Sequence, residues 1–146
     1  MTIAREEIDV LLDKLYRIDG IDHGTEVNYA STQLTGVYRG CGLDRWPEFA
    51  QHSIERAGDI FAPALLIYDV DCYESDGTEA KRKEAVRRLQ KNMEAVFIHD
   101  LPLLSLRMLS PAYRRYRRNV KVAMEVIVTI TNSYGRRDWE AAAFRP

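Results

Sequence analysis

The stretch that decides the fold is NVKVAMEVIVTIT, residues 119–131. Apolar residues occupy every second position of this run: Val120, Val122, Met124, Val126, Val128 and Ile130. In an extended strand, a period of two places such residues on one face. Val, Ile and Thr are stiff at χ1 and favour that backbone. The run therefore predicts a long strand with a buried even-numbered face, and it argues against an all-helical protein.

Two further segments predict the rest of a small sheet. Leu65 to Tyr68 are apolar in succession within residues 64–73, which is typical of a strand buried on both faces. Residues 103–109 predict a third strand, and residues 111–116 predict a hairpin arm that leads into the long strand. These predicted strands would form a mostly antiparallel sheet.

Helices are predicted at the start of the chain and between the strands. Residues 2–18 carry apolar side chains at three- and four-residue spacing, and Gly20 follows as a stop signal. Residues 78–98 have a narrow apolar stripe on an otherwise charged helix, as expected of a helix lying on a sheet. Residues 20–61 are ambiguous. A helical stripe could cover 27–41, and a separate short helix could cover 47–57.

These elements predict one α+β domain over residues 1–146, in which helices pack on one face of a small sheet. An irregular tail, residues 133–146, follows the long strand and is a candidate assembly arm. The tail contains Trp139 and Phe144. Because free tails normally lack large aromatic residues, we expect both to dock, either on the same subunit or on a neighbour.

Composition restricts the function classes. Hydrophobic residues make up 46% and charged residues 29% of the chain, and the net charge of −1 gives no general attraction to nucleic acid or membrane. Cys41 and Cys72 have no metal-binding spacing, so two reduced thiols are expected. We see no secretory leader, no membrane span, no nucleophile motif and no cofactor motif. The sequence predicts neither an enzyme nor a cofactor.

An acidic stretch covers residues 69–79 and includes Asp69, Asp71 and Glu74. Two carboxylates on one face of a strand have the oxygen chemistry of a divalent cation site, and a following Glu-Ala-Lys gives the outline of a metal-dependent nuclease. However, that triplet falls at the start of a helix. A solvated strand end is therefore the favoured interpretation, and no metal site is predicted.

A basic stretch at residues 113–118 alternates aromatic and guanidinium groups. Its members are Tyr113, Arg114, Arg115, Tyr116, Arg117 and Arg118. Tyr and Arg are enriched in protein interfaces, which is the favoured interpretation. Stacking combined with phosphate contacts would instead bind single-stranded nucleic acid, which is the alternative.

The order of the elements resembles that of the tail terminator proteins of long-tailed bacteriophages. The resemblance covers a first helix, the short strand PALLIY at residues 63–68, a charged helix, the Tyr/Arg segment and the long final strand. It is a resemblance of layout without a diagnostic motif. Residues 20–61 are longer than the family layout implies, and the tail beyond Ser133 is extra, so other neck or head–tail connector roles stay open.

The resemblance implies a virion structural protein that is made in the host cytoplasm. Such subunits form a hexameric ring that caps the tail tube and joins it to the head connector. In such a ring, the acidic strip at residues 69–79 of one subunit could meet a basic strip at residues 107–118 of the next, although the residue types also permit a monomer with both strips solvated. The partners implied are other copies of the chain, the tail tube and the connector, with no membrane. The alternative function is a small cytoplasmic domain that binds or processes nucleic acid.

Overall fold

In the computed structural model, the described residues are 4–38 and 48–142, with side chains described at 4–38, 59–133 and 139. Five α-helices occur in these ranges: α1 (Arg5–Arg17), α2 (Ser31–Val37), α3 (Glu48–Tyr73), α4 (Glu79–Asp100) and α5 (Pro111–Ala142). Two 3₁₀ turns lie at Thr25–Asn28 and Leu106–Leu109. No strand occurs in the described ranges. The predicted α+β class, with its sheet, is therefore wrong.

Helix α5 replaces the predicted long strand, the hairpin arm at 111–116 and the irregular tail as far as Ala142. The buried residues of residues 119–131 recur at three- and four-residue spacing: Val120, Ala123, Met124, Ile127, Ile130 and Thr131. Val122, which the alternation placed in the core, is 56% exposed. The pattern of buried residues thus fits the period of a helix and does not fit a period of two.

Helix α3 replaces the predicted strand at 64–73. Its consecutive apolar residues are buried because two clusters cover opposite sides of the helix. Leu65 and Tyr68 pack with α4 and α5, while Leu66 and Val70 pack with α1 and α2. A helix covered on both sides is apolar all round, and a short apolar run does not distinguish it from a buried strand.

The predictions for the other helices are largely confirmed. Helix α1 lies within the predicted range 2–18, and Gly20 after it has a φ of 85°, the left-handed conformation that favours glycine. Helix α4 covers the predicted range 78–98 and is capped by Thr78, whose side chain accepts from the Lys81 amide. Within the stripe predicted at 27–41, α2 covers Ser31–Val37, and residues 39–41 lie outside the described residues. The helix expected at 47–57 is described from Glu48 and continues as α3 to Tyr73.

The core is a bundle of α3, α4 and α5, with α1 and α2 against the outer side of α3. The connection between α4 and α5 lies at one end of this bundle and contains the second 3₁₀ turn. It occupies the predicted strand at 103–109, which consists instead of bends and that turn. Among the described residues, exposed apolar side chains are most concentrated at this end of the molecule.

Candidate functional site

The connection between α4 and α5 holds large apolar side chains in solvent. Leu104 is 98% exposed, Leu106 87%, Leu109 78% and Leu103 62%. Ile98, in the last turns of α4, is 66% exposed as well. Single exposed apolar residues are common on proteins, but five of them within residues 98–109 mark an interaction surface.

Hydrogen bonds within the segment hold this connection in one conformation. The Met108 amide donates to the Ser105 carbonyl at 3.0 Å, and the Ser110 amide donates to the Arg107 carbonyl at 3.0 Å. From α5, Arg114 Nη1 donates to the Met108 carbonyl at 2.7 Å, and Arg117 Nε donates to the Leu101 carbonyl at 3.0 Å. Leu106 and Leu109 are therefore presented by a turn that hydrogen bonds hold in place.

Positive charge surrounds the leucines. Residues 101–124 contain no Asp or Glu but six cations: Arg107, Arg114, Arg115, Arg117, Arg118 and Lys121. All of them except Arg117 are exposed. Arg117 is half-buried, and its guanidinium lies 4.6 Å from the centre of the Phe97 ring. We call this surface, Ile98 together with residues 101–121, the leucine–arginine end.

The Tyr/Arg stretch predicted as an interface forms the first turns of α5, and its two tyrosines have different environments. Tyr113 is half-buried against the core, and its hydroxyl is shielded from water without a hydrogen-bond partner. Tyr116 is exposed. Because only one of the two rings is accessible, the alternating platform expected for stacked bases is not formed. The exposed arginines remain as the charged part of the surface.

Sequence reasoning missed the exposed leucines because residues 103–109 were interpreted as a strand. A signal for a surface segment was nevertheless present. Pro102 and Pro111 bracket the stretch, and serines interrupt its apolar residues at positions 105 and 110. Prolines and serines at such spacing favour turns over a regular element.

The acidic residues predicted at the interface lie on the C-terminal half of α3 and at its end. Asp71 accepts a hydrogen bond from Arg88 Nη1 at 2.7 Å. Glu74 accepts from the Tyr29 hydroxyl at 2.6 Å and from Thr25 Oγ1. Asp69 is half-buried and also engaged. These carboxylates interact within the subunit: Glu74 attaches the segment between α1 and α2 to the end of α3, and Asp71 joins α3 to α4.

A buried polar cluster lies beside Asp71, between α3, α4 and residues 22–26. Glu26 is fully buried; its carboxylate accepts from the Gly24 amide at 2.7 Å and lies 2.7 Å from His23 Nδ1. The buried Asn92 side chain bonds both backbone groups of Asp22, at 2.7 and 3.1 Å. Charged and amide groups thus dock the segment after α1 onto the central helices.

This polar cluster is packed too closely to be a ligand site. A Cβ added at Gly24 would lie 2.8 Å from Arg88 Nη1 and 3.2 Å from Asp71 Oδ1, so even a methyl group has no room there. Among the residues whose side chains the structure describes, 4–38, 59–133 and 139, no group of three His, Cys, Asp or Glu is placed to hold a metal ion. Cys72 is half-buried and forms no disulfide with a described residue, and Cys41 lies outside the described residues.

Burial raises the pKa of Asp71 to about 6, with Glu26 adding to the rise and Arg88 opposing it. A carboxyl group that keeps its proton to higher pH in the folded state stabilises the fold most at low pH. That contribution is lost as pH rises through about 6. We expect it to fall by about 2 kcal/mol between pH 4 and pH 7.

Asp71→Asn should remove that pH-dependent contribution. In urea titrations at several pH values, the free energy of unfolding of the variant relative to the parent should therefore rise with pH across this window. Asp76→Asn is the matched control, because that exposed carboxylate lies at the turn before α4 with its pKa lowered by Thr78. A pH-independent difference for Asp71→Asn would contradict the raised pKa.

The two aromatic residues of the predicted tail can be placed only in part. Trp139 is buried within its own subunit, where its Nε1 donates to the Thr78 carbonyl at 3.0 Å. Its carbonyl accepts from Ser75 Oγ at 2.7 Å. Of the two docking alternatives, the structure therefore shows the same-subunit one for Trp139. Phe144 lies outside the described residues.

Comparison with known proteins gave no match among protein families, curated proteins or solved structures. No helix in the described part of the chain is both long enough and apolar enough to cross a membrane.

Proposed function

We propose that this chain is a non-catalytic docking protein that attaches to a larger, negatively charged structure through the leucine–arginine end. The observation that carries the proposal is the coincidence of exposed leucines with a 24-residue segment that has six cations and no carboxylate. Moving apolar side chains out of water lowers the free energy of the system. The cations favour a partner that carries negative charge.

The fold gains little from this surface. Leu104 and Leu106 are almost entirely in solvent, so they contribute little buried area to the folded state. Arg114 helps to hold the turn through the Met108 carbonyl, but exposed cations such as Arg115 and Arg118 contribute at most about 1 kcal/mol each to the fold. Residues that stabilise neither the core nor the helices are better explained by binding.

Membership of a phage tail terminator or neck ring stays a prediction, as does location in a virion. The layout that suggested the resemblance is not present, since residues 63–68 and 120–131 are helical. The proposed contact between acidic and basic stretches also has less support, because Asp71 and Glu74 are engaged within their own subunit. The present proposal keeps docking as the function and does not depend on a hexamer.

Nucleic-acid binding is the second candidate, favoured by the exposed Arg114, Arg115 and Arg118 on the first turns of α5. Phosphate contacts by arginine would supply a salt-dependent affinity. This candidate leaves the exposed leucines unexplained, because phosphates do not require an apolar contact. It ranks below docking for that reason.

The experiment compares Leu104→Ser/Leu106→Ser with the parent in a gently lysed cell extract separated by ultracentrifugation. We expect the parent to sediment with large structures and the leucine variant to stay in the supernatant. Val10→Ser/Val27→Ser is the matched control, because both valines are exposed but lie on α1 and the first 3₁₀ turn. The control should sediment like the parent.

Two measurements on the purified proteins complete this test. Thermal melts should show the leucine variant within about 0.5 kcal/mol of the parent, as for other exposed sites, and light scattering should show that the parent does not aggregate alone. A leucine variant that sediments like the parent would exclude this end as the docking surface. Release of the parent by nuclease would move nucleic acid to first place.

A further inference from the structure

We infer that the structure bound by the leucine–arginine end is the surface of an anionic lipid bilayer. This inference rests on the proposed docking function and names the class of its partner. Its contact would be peripheral, with the leucines in the boundary between headgroups and acyl chains and the arginines at the phosphates.

The degree of exposure points to a fluid surface. Leu104 at 98% and Leu106 at 87% protrude from the turn and make almost no contact with their own subunit. Interface hot spots on proteins usually fit preformed pockets and are dominated by Trp, Tyr and Arg, whereas protruding leucines are not favoured there. A bilayer accepts such side chains without a complementary pocket.

The backbone of the connection is suited to shallow insertion. Unpaired amide and carbonyl groups are costly at the edge of the hydrocarbon layer. The 3₁₀ turn pairs the Met108 amide, and the Ser105 side chain accepts from the Arg107 amide at 3.2 Å. Arg114 and Arg117 cover two carbonyls of the connection, those of Met108 and Leu101. These bonds reduce the number of unpaired backbone groups that would meet lipid around Leu106 and Leu109.

Charge excludes the simplest competing partner, a second copy placed face to face. A symmetric contact would bring six cations of one copy against six of the other. Residues 101–124 offer no carboxylate to neutralise them. A bilayer that contains anionic lipids supplies phosphates and carboxylates over the whole contact, with each nearby cation raising affinity about fivefold.

The test is co-sedimentation of the purified chain with vesicles of phosphatidylcholine, with and without phosphatidylserine. We expect binding to the vesicles that contain phosphatidylserine, weakened by salt, and weak binding to phosphatidylcholine alone. Leu104→Ser/Leu106→Ser should lower affinity at least tenfold at low salt, because two apolar side chains no longer enter the bilayer. Val10→Ser/Val27→Ser should bind like the parent.

Charge variants test whether vesicle binding depends on the cations of this surface or on the positive charge of the whole protein. Arg115→Gln/Arg118→Gln should lower affinity for phosphatidylserine vesicles about 25-fold, at about fivefold for each charge. Lys83→Gln/Arg87→Gln removes the same charge from exposed positions more than about 20 Å along α4 from Leu101, and should have a small effect.

The outcomes show whether the bilayer inference fails alone or together with the proposed docking function. If the leucine variant leaves the cell pellet but the parent ignores both kinds of vesicle, the docking function stands and the bilayer is the wrong partner, an acidic protein surface taking its place. Equal vesicle binding by the leucine variant and the parent would also overturn the inference, because the contact would then be electrostatic only. If the parent neither sediments in the extract nor binds vesicles, both proposals fail.

Discussion

Ile127→Asp should unfold the protein, whereas Val122→Asp should leave it folded. Ile127 is fully buried in the cluster between α3, α4 and α5. A carboxylate at this position would enter the core without a cation or hydrogen-bond donor. We expect a loss of about 4 kcal/mol or more, a large part of the stability of an ordinary domain.

Val122 lies five residues away on the same helix but faces solvent, at 56% exposure. Its replacement by Asp should change the free energy of unfolding by about 0.5 kcal/mol or less. Circular dichroism melts of the two variants measure the contrast directly. A strand in which even-numbered residues are buried requires the opposite order, so a destabilised Val122→Asp beside an intact Ile127→Asp would restore the sheet.

The same contrast explains why the fold class was mispredicted. Residues 119–131 satisfy two periods at once, because Ala123 and Ile127 add a three- and four-residue spacing to the alternating apolar even positions. β-branched residues then favoured a strand, although their helix penalty is small and tertiary packing overrides it. Length was the better guide, since a run of this size exceeds a typical strand and suits a helix.

The two helices that were located correctly owe this to local signals. Helix α1 has acidic residues in its first turn and ends before Gly20, and α4 begins after a capping Thr78. Such signals depend on a few adjacent residues and need no tertiary contact. Helix α3 lacks them in its apolar half, because that half is specified by the two clusters that enclose it.

The candidate site was predicted in part for a comparable reason. The density of arginine at residues 114–118 is visible in the sequence whatever the secondary structure. The exposed leucines were not recognisable, because leucine is ordinarily a core residue and only the fold shows which leucines remain outside. The pairing of Asp71 with Arg88 links residues 17 positions apart on different helices, which requires the packing of α3 on α4.

Arg88→Met should be the most damaging change outside the apolar core. Arg88 Nη1 lies 2.7 Å from Asp71 Oδ1, and its other nitrogens lie 3.5 Å from Glu84 and 3.9 Å from Asp22. Without the guanidinium, Asp71 would be a buried carboxylate that has lost its cation and lies close to the buried carboxylate of Glu26. Breaking a buried pair in this way costs about 3–5 kcal/mol.

Arg87→Met is the control, because the neighbouring side chain on α4 is exposed. In urea titrations, the free energy of unfolding of the control should stay close to that of the parent. That of Arg88→Met should be lower by about 3–5 kcal/mol. The loss should shrink as pH falls below 6, since Asp71, whose pKa is raised to about 6 in the parent, then carries its proton.

Arg88→Met/Asp71→Leu shows whether the loss arises from an unpaired carboxylate. Replacing both partners with apolar groups removes the uncompensated charge, so the double variant should recover most of the stability lost by Arg88→Met. Glu26 keeps its bonds to the Gly24 amide and His23 in that variant, so the segment after α1 stays attached to the bundle. If Asp71→Leu instead adds a further loss of its own, the arginine acts through packing, and the buried polar cluster joins the helices by shape more than by charge.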